Sequence, residues 1–539
     1  MRLLNLKLLT KFRSLDAGVN FRFDKVELFD NKLEPICLVG LNGSGKSNLL
    51  EVVAEVFYYL EKYSESEGKN KKKHSTPFGF EITYQIDITY ELARNSNLKN
   101  IETLDWEGSR ETIVTIVKSA NELPKITLES DGRVRVEEST DPAMFILPNH
   151  IIGYSSGQNE LISNPFIKLK YEYFEQLEKK QQADYNLELG LTRLFFLDYE
   201  TSHLITLINC LFSEENEVSV ITNALKLDKE DPLDSFEVII RYTNYKNNRI
   251  KIARALEVAI EKLKECATTY EETGNELKLD YFVNKETRLA FKRKFGSALI
   301  LFRDFYYLNL LNIHQEPVSV RRKIKEAPSN TYDNLLHMIP TPPREDLNFC
   351  IDKMRLRKTN GVLIKYKNLS DGEHQLMHVL GSMILLNTSG SLLLYDEPET
   401  HFNPDWRSKL ISLINKTVIE KVQSDKIRKQ EILITSHSPF IVSDCRPERV
   451  FIFKNGKTST PKINTFGAAV SLITMKVFGK SETISELANQ KLDKIVQSYK
   501  KGTVDLQSAI LKANSLGDSV EKLLTIDQLK KIKPLKQKK

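Results

Sequence analysis

The stretch Gly40-Leu41-Asn42-Gly43-Ser44-Gly45-Lys46-Ser47 constrains the fold more than any other part of the chain. It fits G-x-x-x-x-G-K-[ST], a phosphate-binding loop. The apolar run Ile36-Cys37-Leu38-Val39 precedes it and reads as a buried strand. Leu49, Leu50, Val53, Val56, Phe57 and Leu60 follow on one helical face. Glycines let backbone N–H groups curl around phosphate oxygens, and the helix N-terminus adds partial positive charge. Lys46 can reach β- and γ-phosphates, and Ser47 can ligate Mg²⁺. A glycine turn preceding a helix by chance is the bland alternative, and the downstream motifs argue against it.

Downstream, Ser391-Leu392-Leu393-Leu394-Tyr395-Asp396-Glu397-Pro398 is an apolar strand ending in two carboxylates. Asp396 would hold Mg²⁺, directly or through water, and Glu397 would orient or deprotonate an attacking water. Taken alone, a strand capped by a solvated acidic turn is as good a reading. Between the two lies Asn368-Leu369-Ser370-Asp371-Gly372-Glu373-His374-Gln375. Ser370 and Glu373 form the capping-box pattern S-x-x-E, and the same helix start is an anion site that can face a γ-phosphate. Both readings can hold at once. Glu431-Ile432-Leu433-Ile434-Thr435-Ser436-His437 adds a strand ending in histidine. The order of the four segments favours a nucleotide site.

That order resembles the ABC-type ATPases, in the branch containing the SMC, RecF and OLD proteins. The resemblance implies an α/β fold: an ABC-type P-loop core of mixed sheet and flanking helices, with an antiparallel β subdomain. It implies ATP and Mg²⁺ as cofactors. Gly40, Asn42, Gly43, Ser44, Gly45, Lys46, Ser47 and Asn48 would then bind nucleotide, as would Ser370, Gly372 and Glu373 of the signature segment. Ser47, Asp396 and Gln158 would hold the metal. Glu397, His437 and Gln158 would act in catalysis, Gln158 through the segment Ile152-Gly153-Tyr154-Ser155-Ser156-Gly157-Gln158-Asn159. Glu399-Thr400-His401-Phe402-Asn403-Pro404 resembles the D-loop, with Phe402 and Asn403 departing from the usual form. Phe12-Arg13-Ser14-Leu15 is typical of the branch. Self-association through composite ATP sites is a further implication.

The 539 residues exceed one domain's usual size. Residues 1–166 and 361–465 read as two parts of the ATPase core. Residues 167–360 read as a compact, mostly helical insertion, and 466–539 as a helical extension with a basic tail. Phe80 to Tyr90 alternates as a half-buried strand, Ile113 to Val117 is another, and Lys125 to Val136 carries an Asp131-Gly132 hairpin signal. Arg249 to Tyr270 and Leu289 to Leu311 have helical spacing, and no long heptad repeat predicts a rod. Asn455-Gly456 looks like a turn after the strand Val450 to Phe453. The five cysteines have no metal or redox spacing and point to a reducing cytosol. No apolar run is long enough to span a bilayer, and the N-terminus lacks a signal-peptide core. The net charge of +6 is modest, although basic clusters such as Arg355-Leu356-Arg357-Lys358 leave nucleic-acid contact open.

After His437 the sequence offers no D-x-D pair and no clustered carboxylates of the kind a two-metal nuclease needs. Ile463 to Val470, Ser485-Glu486-Leu487-Ala488 and Tyr154-Ser155-Ser156-Gly157, with that missing nuclease, are similar to the ATPase subunit of Septu-type anti-phage systems, including retron-associated ones. This resemblance implies a cytoplasmic regulatory subunit of a defence complex. An HNH nuclease partner would supply the cutting chemistry, and in the retron version a reverse transcriptase with RNA-linked single-stranded DNA would join. The competing reading is a RecF-like repair ATPase that clamps DNA without a nuclease.

Overall fold

The computed structural model describes residues 1–23, 33–65, 76–89, 109–119, 122–130, 133–137, 146–157, 161–181, 192–212, 218–386, 388–418, 430–480 and 484–532. Among these residues the strands form three sheets. The central one has seven strands in the order Lys457–Ser459, Val450–Lys454, Ile36–Gly40, Glu431–Ser436, Leu392–Asp396, Ile151–Ser155, Leu194–Phe196. All its pairings are parallel except the edge hairpin of Val450–Lys454 with Lys457–Ser459. Strand neighbours are far apart in sequence, so the sheet gathers segments from both ends of the chain.

The parallel strands read as unbroken apolar runs because both faces of the sheet are covered. On one face Ile36, Leu38, Leu392, Leu394 and Leu433 join the core with the helix Lys46–Glu65. On the other, Cys37, Val39, Leu393, Tyr395, Ile432 and Ile434 join a second core, which includes residues of the helices Asp371–Leu385 and Pro404–Val418. Burying each such Leu, Ile or Val side chain contributes about 1.5–3 kcal/mol.

The helix Lys46–Glu65 buries more than the single face that its apolar spacing predicts. Leu49, Leu50, Val53, Val56, Phe57 and Leu60 are fully buried, and so are Val52 and Ala54. It lies between the parallel sheet and an antiparallel sheet of order Asn20–Arg22, Arg2–Leu8, Phe80–Thr89, Ser109–Lys118, Lys125–Ser130, Arg133–Glu137. Phe80, Ile82, Tyr84 and Ile88 point into the shared core, as their alternation predicts. The hairpin of Lys125–Ser130 with Arg133–Glu137 is present, while Asp131 and Gly132 lie outside the described residues. So does most of the lysine-rich segment 63–76.

The region expected as a mostly helical insertion also carries an antiparallel five-stranded sheet. Its order is Thr269–Glu272, Glu276–Phe282, Leu233–Arg241, Phe349–Arg357, Leu363–Lys365. The expected helix over 249–270 is shorter, Arg254–Cys266, because Thr269–Glu272 leaves to pair with Glu276–Phe282. The expected helix over 289–311 is two helices, Lys285–Phe295 and Ala298–Leu310. Gly296, at φ +76, ends the first, and Ser297 caps the second. The expected boundaries also cut elements: 166/167 falls within the helix Asn164–Gln181, and 360/361 within the turn of the last hairpin. The strand Leu194–Phe196, from the expected insertion, is an edge of the parallel sheet.

Three helices, Glu486–Lys500, Leu506–Asn514 and Val520–Lys531, end the described chain around a small core of Val496, Tyr499, Ala509 and Leu529. All five cysteines are buried and free. No helix among the described residues is long and apolar enough to cross a membrane.

Candidate nucleotide site

Parallel strands place their carboxyl ends on one edge of a sheet, where ligands of such folds bind. Here that edge collects Gly40, Asp396, Ser155 and Ser436 from four adjacent strands. The sequence-predicted residues therefore meet, although hundreds of positions separate them.

The loop after Ile36–Gly40 has the backbone that its glycines predict. Gly40, Gly43 and Gly45 have φ of +150, +74 and +103. A Cβ at Gly40 would lie 2.5 Å from the Phe453 carbonyl, and one at Gly45 would lie 2.8 Å from Ser14 Oγ. Asn42 and Gly43 form the loop's turn, where the Ser44 amide bonds to the Leu41 carbonyl. Ser44 Oγ is buried without a hydrogen-bond partner. An unmade bond of this kind costs about 1–3 kcal/mol, a cost that a phosphate oxygen would relieve.

Lys46 Nζ lies 3.1 Å from the Gly40 carbonyl, 3.2 Å from that of Leu41 and 3.0 Å from His437 Nε2. Burial lowers its pKa, while the nearby Glu397 and Asp396 charges oppose that shift. Ser47 Oγ donates to Asp396 Oδ1 at 2.9 Å, and Thr435 Oγ donates to the same oxygen at 2.5 Å. Burial raises the Asp396 pKa against these two hydrogen bonds. A hydroxyl beside a carboxylate at a phosphate loop is a donor set that suits Mg²⁺. The residues present thus fit a nucleotide with its metal: a glycine cradle, an orphaned hydroxyl, a poised ammonium and two hard oxygen ligands.

Glu397 is one of the few non-glycine residues with positive φ, +52. Such a conformation costs of order 1–3 kcal/mol. Its N–H donates to the Thr435 carbonyl at 3.2 Å and to Thr435 Oγ at 3.0 Å, which holds the turn. Its carboxylate sits 3.0 Å from His437 Nε2, and this hydrogen bond is the main reason its pKa falls below the ordinary value. Nε2 of His437 thus faces both Lys46 and Glu397. One nitrogen cannot accept from the ammonium and donate to the carboxylate together, so the two compete for it. A phosphate that draws Lys46 away leaves Nε2–H to hold Glu397.

The signature segment is built as the capping box predicts. Ser370 caps the helix Asp371–Leu385, its Oγ accepting from the Glu373 amide at 3.3 Å, and the Ser370 amide donates back to Glu373 at 2.9 Å. Burial works to raise the Glu373 pKa, but the Lys358 ammonium at 2.9 Å and the Ser370 bonds outweigh it and lower the pKa. Its carboxylate therefore serves the cap. A Cβ at Gly372 would lie 2.7 Å from the His401 carbonyl, and Gln375 accepts from the His401 amide at 2.9 Å. The segment after Glu397 is thus locked to the start of this helix. No hydrogen bond or ion pair joins Ser370, Gly372 or Glu373 to Lys46 or Asp396 among the described residues.

Gln158 lies outside the described residues. The strand leading to it reaches the site, since the Ser156 amide donates to the Asp396 carbonyl at 3.1 Å and Ser156 Oγ lies 2.9 Å from Thr400 Oγ. Asn48 turns away from the loop to donate to Ser14 Oγ at 2.7 Å. The sequence places three supporting residues inside its motif segments but gives them no role of their own. Thr435 binds both Asp396 and Glu397, Ser14 supports Gly45 and Asn48, and Glu399 accepts from Ser436 Oγ at 2.5 Å. Their signal was position alone, within those segments.

A family model described as "AAA domain, putative AbiEii toxin, Type IV TA system" matches residues 272–443. That span holds Ser370, Asp396, Glu397 and His437 but not the glycine loop. No curated protein matches the chain. Among solved structures, the Smc head domain of Pyrococcus furiosus, with an extended coiled coil and bound to the C-terminal domain of ScpA, is 12% identical. It covers 86% of this chain and 96% of its own at TM-score 0.29. The SMC head domain of Thermotoga maritima is 9% identical, covering 86% and 100% at TM-score 0.28. That of Pyrococcus yayanosii is 10% identical, covering 86% and 97% at TM-score 0.28. Superpositions this loose carry no argument. The architecture itself, with its glycine loop between a parallel strand and a buried helix, is an α/β core of the P-loop nucleotide-binding kind.

Proposed function

We propose that this protein binds and hydrolyses ATP and uses the nucleotide state to regulate a partner. The observation that carries the ATPase reading is the convergence of Lys46, Ser47, Asp396, Glu397 and His437 at one sheet edge. Lys46 and the loop amides would bind the phosphates. Ser47 and Asp396 would hold Mg²⁺, which neutralises phosphate charge. Glu397 would accept the proton of the attacking water, with His437 fixing its carboxylate. Lys46→Ala should weaken ATP binding by about 1.5–3 kcal/mol or more. Glu397→Gln should bind ATP as wild type does but nearly stop turnover, because an amide cannot accept that proton. Calorimetry and phosphate release check both; equal affinity for Lys46→Ala, or full turnover for Glu397→Gln, would sink the reading.

The finer reading is a cytoplasmic subunit of an anti-phage defence complex that controls an HNH nuclease supplied in trans, itself having no nuclease activity. In a retron setting, a reverse transcriptase and its RNA-linked DNA would join. Support comes from the sequence resemblance to Septu-type ATPase subunits, and from the toxin–antitoxin wording of the matched family. Affinity capture of the native protein followed by mass spectrometry tests it. Co-purification of an HNH protein is expected, whereas nucleic acid alone would favour the RecF-like reading.

A further inference from the structure

The hairpin of Phe349–Arg357 with Leu363–Lys365, which leads into Ser370, carries charges that the nucleotide site does not use. Arg355 and Lys365 are directly cross-strand partners. Like charges placed this way repel, and a sheet keeps them at a cost. Lys367 follows, and Arg355, Lys365 and Lys367 are all exposed. None of the three has an ion-pair partner among the described residues. The neighbouring cations are already engaged, Arg344 with Asp352 at 3.4 Å and Lys353 with Glu237 at 2.8 Å. All five cations line one cleft of about 310 Å³.

The same cleft has an aromatic end. His203 and Tyr366 line it, with rings 4.5 Å apart. Tyr199 stacks edge-on against His203 at 4.8 Å and remains 60% exposed. Three cations without an ion-pair partner among the described residues line this cleft, and the exposed Tyr199 ring packs on His203 at its aromatic end, an arrangement that suits a chain alternating phosphate and base. Single strands are held in this way, by phosphate contacts along a groove and bases stacked on aromatic faces. A duplex keeps its base faces stacked internally, and an acidic peptide has no use for the ring.

The geometry points to this cleft as a binding site for single-stranded nucleic acid, with Arg355, Lys365 and Lys367 on the phosphates and Tyr199 under a base. The site adjoins the signature helix. Tyr366 packs 4.6 Å from His374, whose amide bonds to the Ser370 carbonyl at 2.9 Å. A strand in the cleft would therefore lie against the residues that set the Ser370 cap.

The test uses the full chain and fluorescein-labelled dT12 and rU12, read by anisotropy across a salt titration. It needs no ATP turnover, so it stands or falls apart from the ATPase reading. Wild type and Lys46→Ala should bind alike. The triple variant Arg355→Glu, Lys365→Glu, Lys367→Glu should lose at least tenfold in affinity. The neutral triple variant with serine at these positions should lower the salt slope by about 2, at about 0.7 per phosphate contact. Tyr199→Ala should lose about tenfold with an unchanged salt slope. Thermal melts of each variant check that it folds. Wild-type affinity and slope in the serine variant would overturn the proposal. So would tighter binding of a twelve-residue oligoglutamate or of duplex DNA, or loss of binding in Lys46→Ala, which would move the strand to the phosphate loop.

Discussion

Glu399 shows how much one buried carboxyl can tie together. It is 4% exposed, one oxygen accepts from Ser436, and the other has no hydrogen-bond partner. Burial is the largest cause pushing its pKa from the ordinary 4.5 up to about 7. Between these values the folded chain holds a proton that the unfolded chain has lost. Stability that is full below about pH 4.5 therefore declines as pH rises through 7. At one pKa unit per 1.36 kcal/mol the span is about 3 kcal/mol as an upper figure. Glu399→Gln keeps the oxygen that Ser436 needs and removes the charge. The variant should outlast wild type in denaturant at pH 8 and match it closely at pH 5. Parallel behaviour of the two proteins across that range would show that the site is better solvated than its burial implies.

At the scale of elements, the phosphate loop is held by other turns as well as by its own glycines. Asn455 and Gly456, at φ +51 and +72, make the hairpin turn that their sequence predicts. That turn also touches the loop, since the Gly456 amide donates to the Ser44 carbonyl at 3.2 Å. A Cβ at Gly456 would lie 2.2 Å from the Ser14 carbonyl, and Ser14 in turn meets Gly45 and Asn48. Gly456→Ala should therefore push the Phe12-to-Leu15 turn off the loop. ATP affinity should drop severalfold and the melting temperature by a few degrees, about 1–3 kcal/mol by the cost of strained backbone. Gly296→Ala makes the control: its φ is +76, but nothing lies near its Cβ and it touches no site residue, so it should lose stability while keeping ATP affinity.

For the whole molecule, no hydrogen bond or ion pair among the described residues joins Ser370 to Lys46 or Asp396. The Ser370 helix start is exposed, and the chain after Glu397 is fastened to it through His401. In the composite site that the sequence resemblance implies, a second copy would bring this helix N-terminus to the phosphate loop, where its partial positive charge favours an anion. Glu397→Gln with ATP should then run as a dimer or larger in light scattering, and as a smaller species without nucleotide. Adding Ser370→Arg should block that association while ATP still binds. A Glu397→Gln protein that remains monomeric at saturating ATP would contradict the composite site.

Local features were legible in the sequence because spacing alone specifies them. The glycine loop needs its positive φ values, the Ser370–Glu373 box needs only two residues between its partners, and the continuous runs of Leu392–Asp396 and Glu431–Ser436 demand cover on both faces. Motif order alone grouped Lys46, Asp396 and His437, but only the strand order made them neighbours. It put Ile36–Gly40 beside Glu431–Ser436, and Leu392–Asp396 beyond it. The sheet around Leu233–Arg241 was missed for a related reason. Its strands alternate briefly among helices, and their hydrogen bonds go to segments far along the chain. Thr435, Ser14 and Glu399 gained their roles the same way, from packing between distant segments. Backbone conformation follows from neighbours in sequence, whereas pairing and burial follow from neighbours in space, which no single segment encodes.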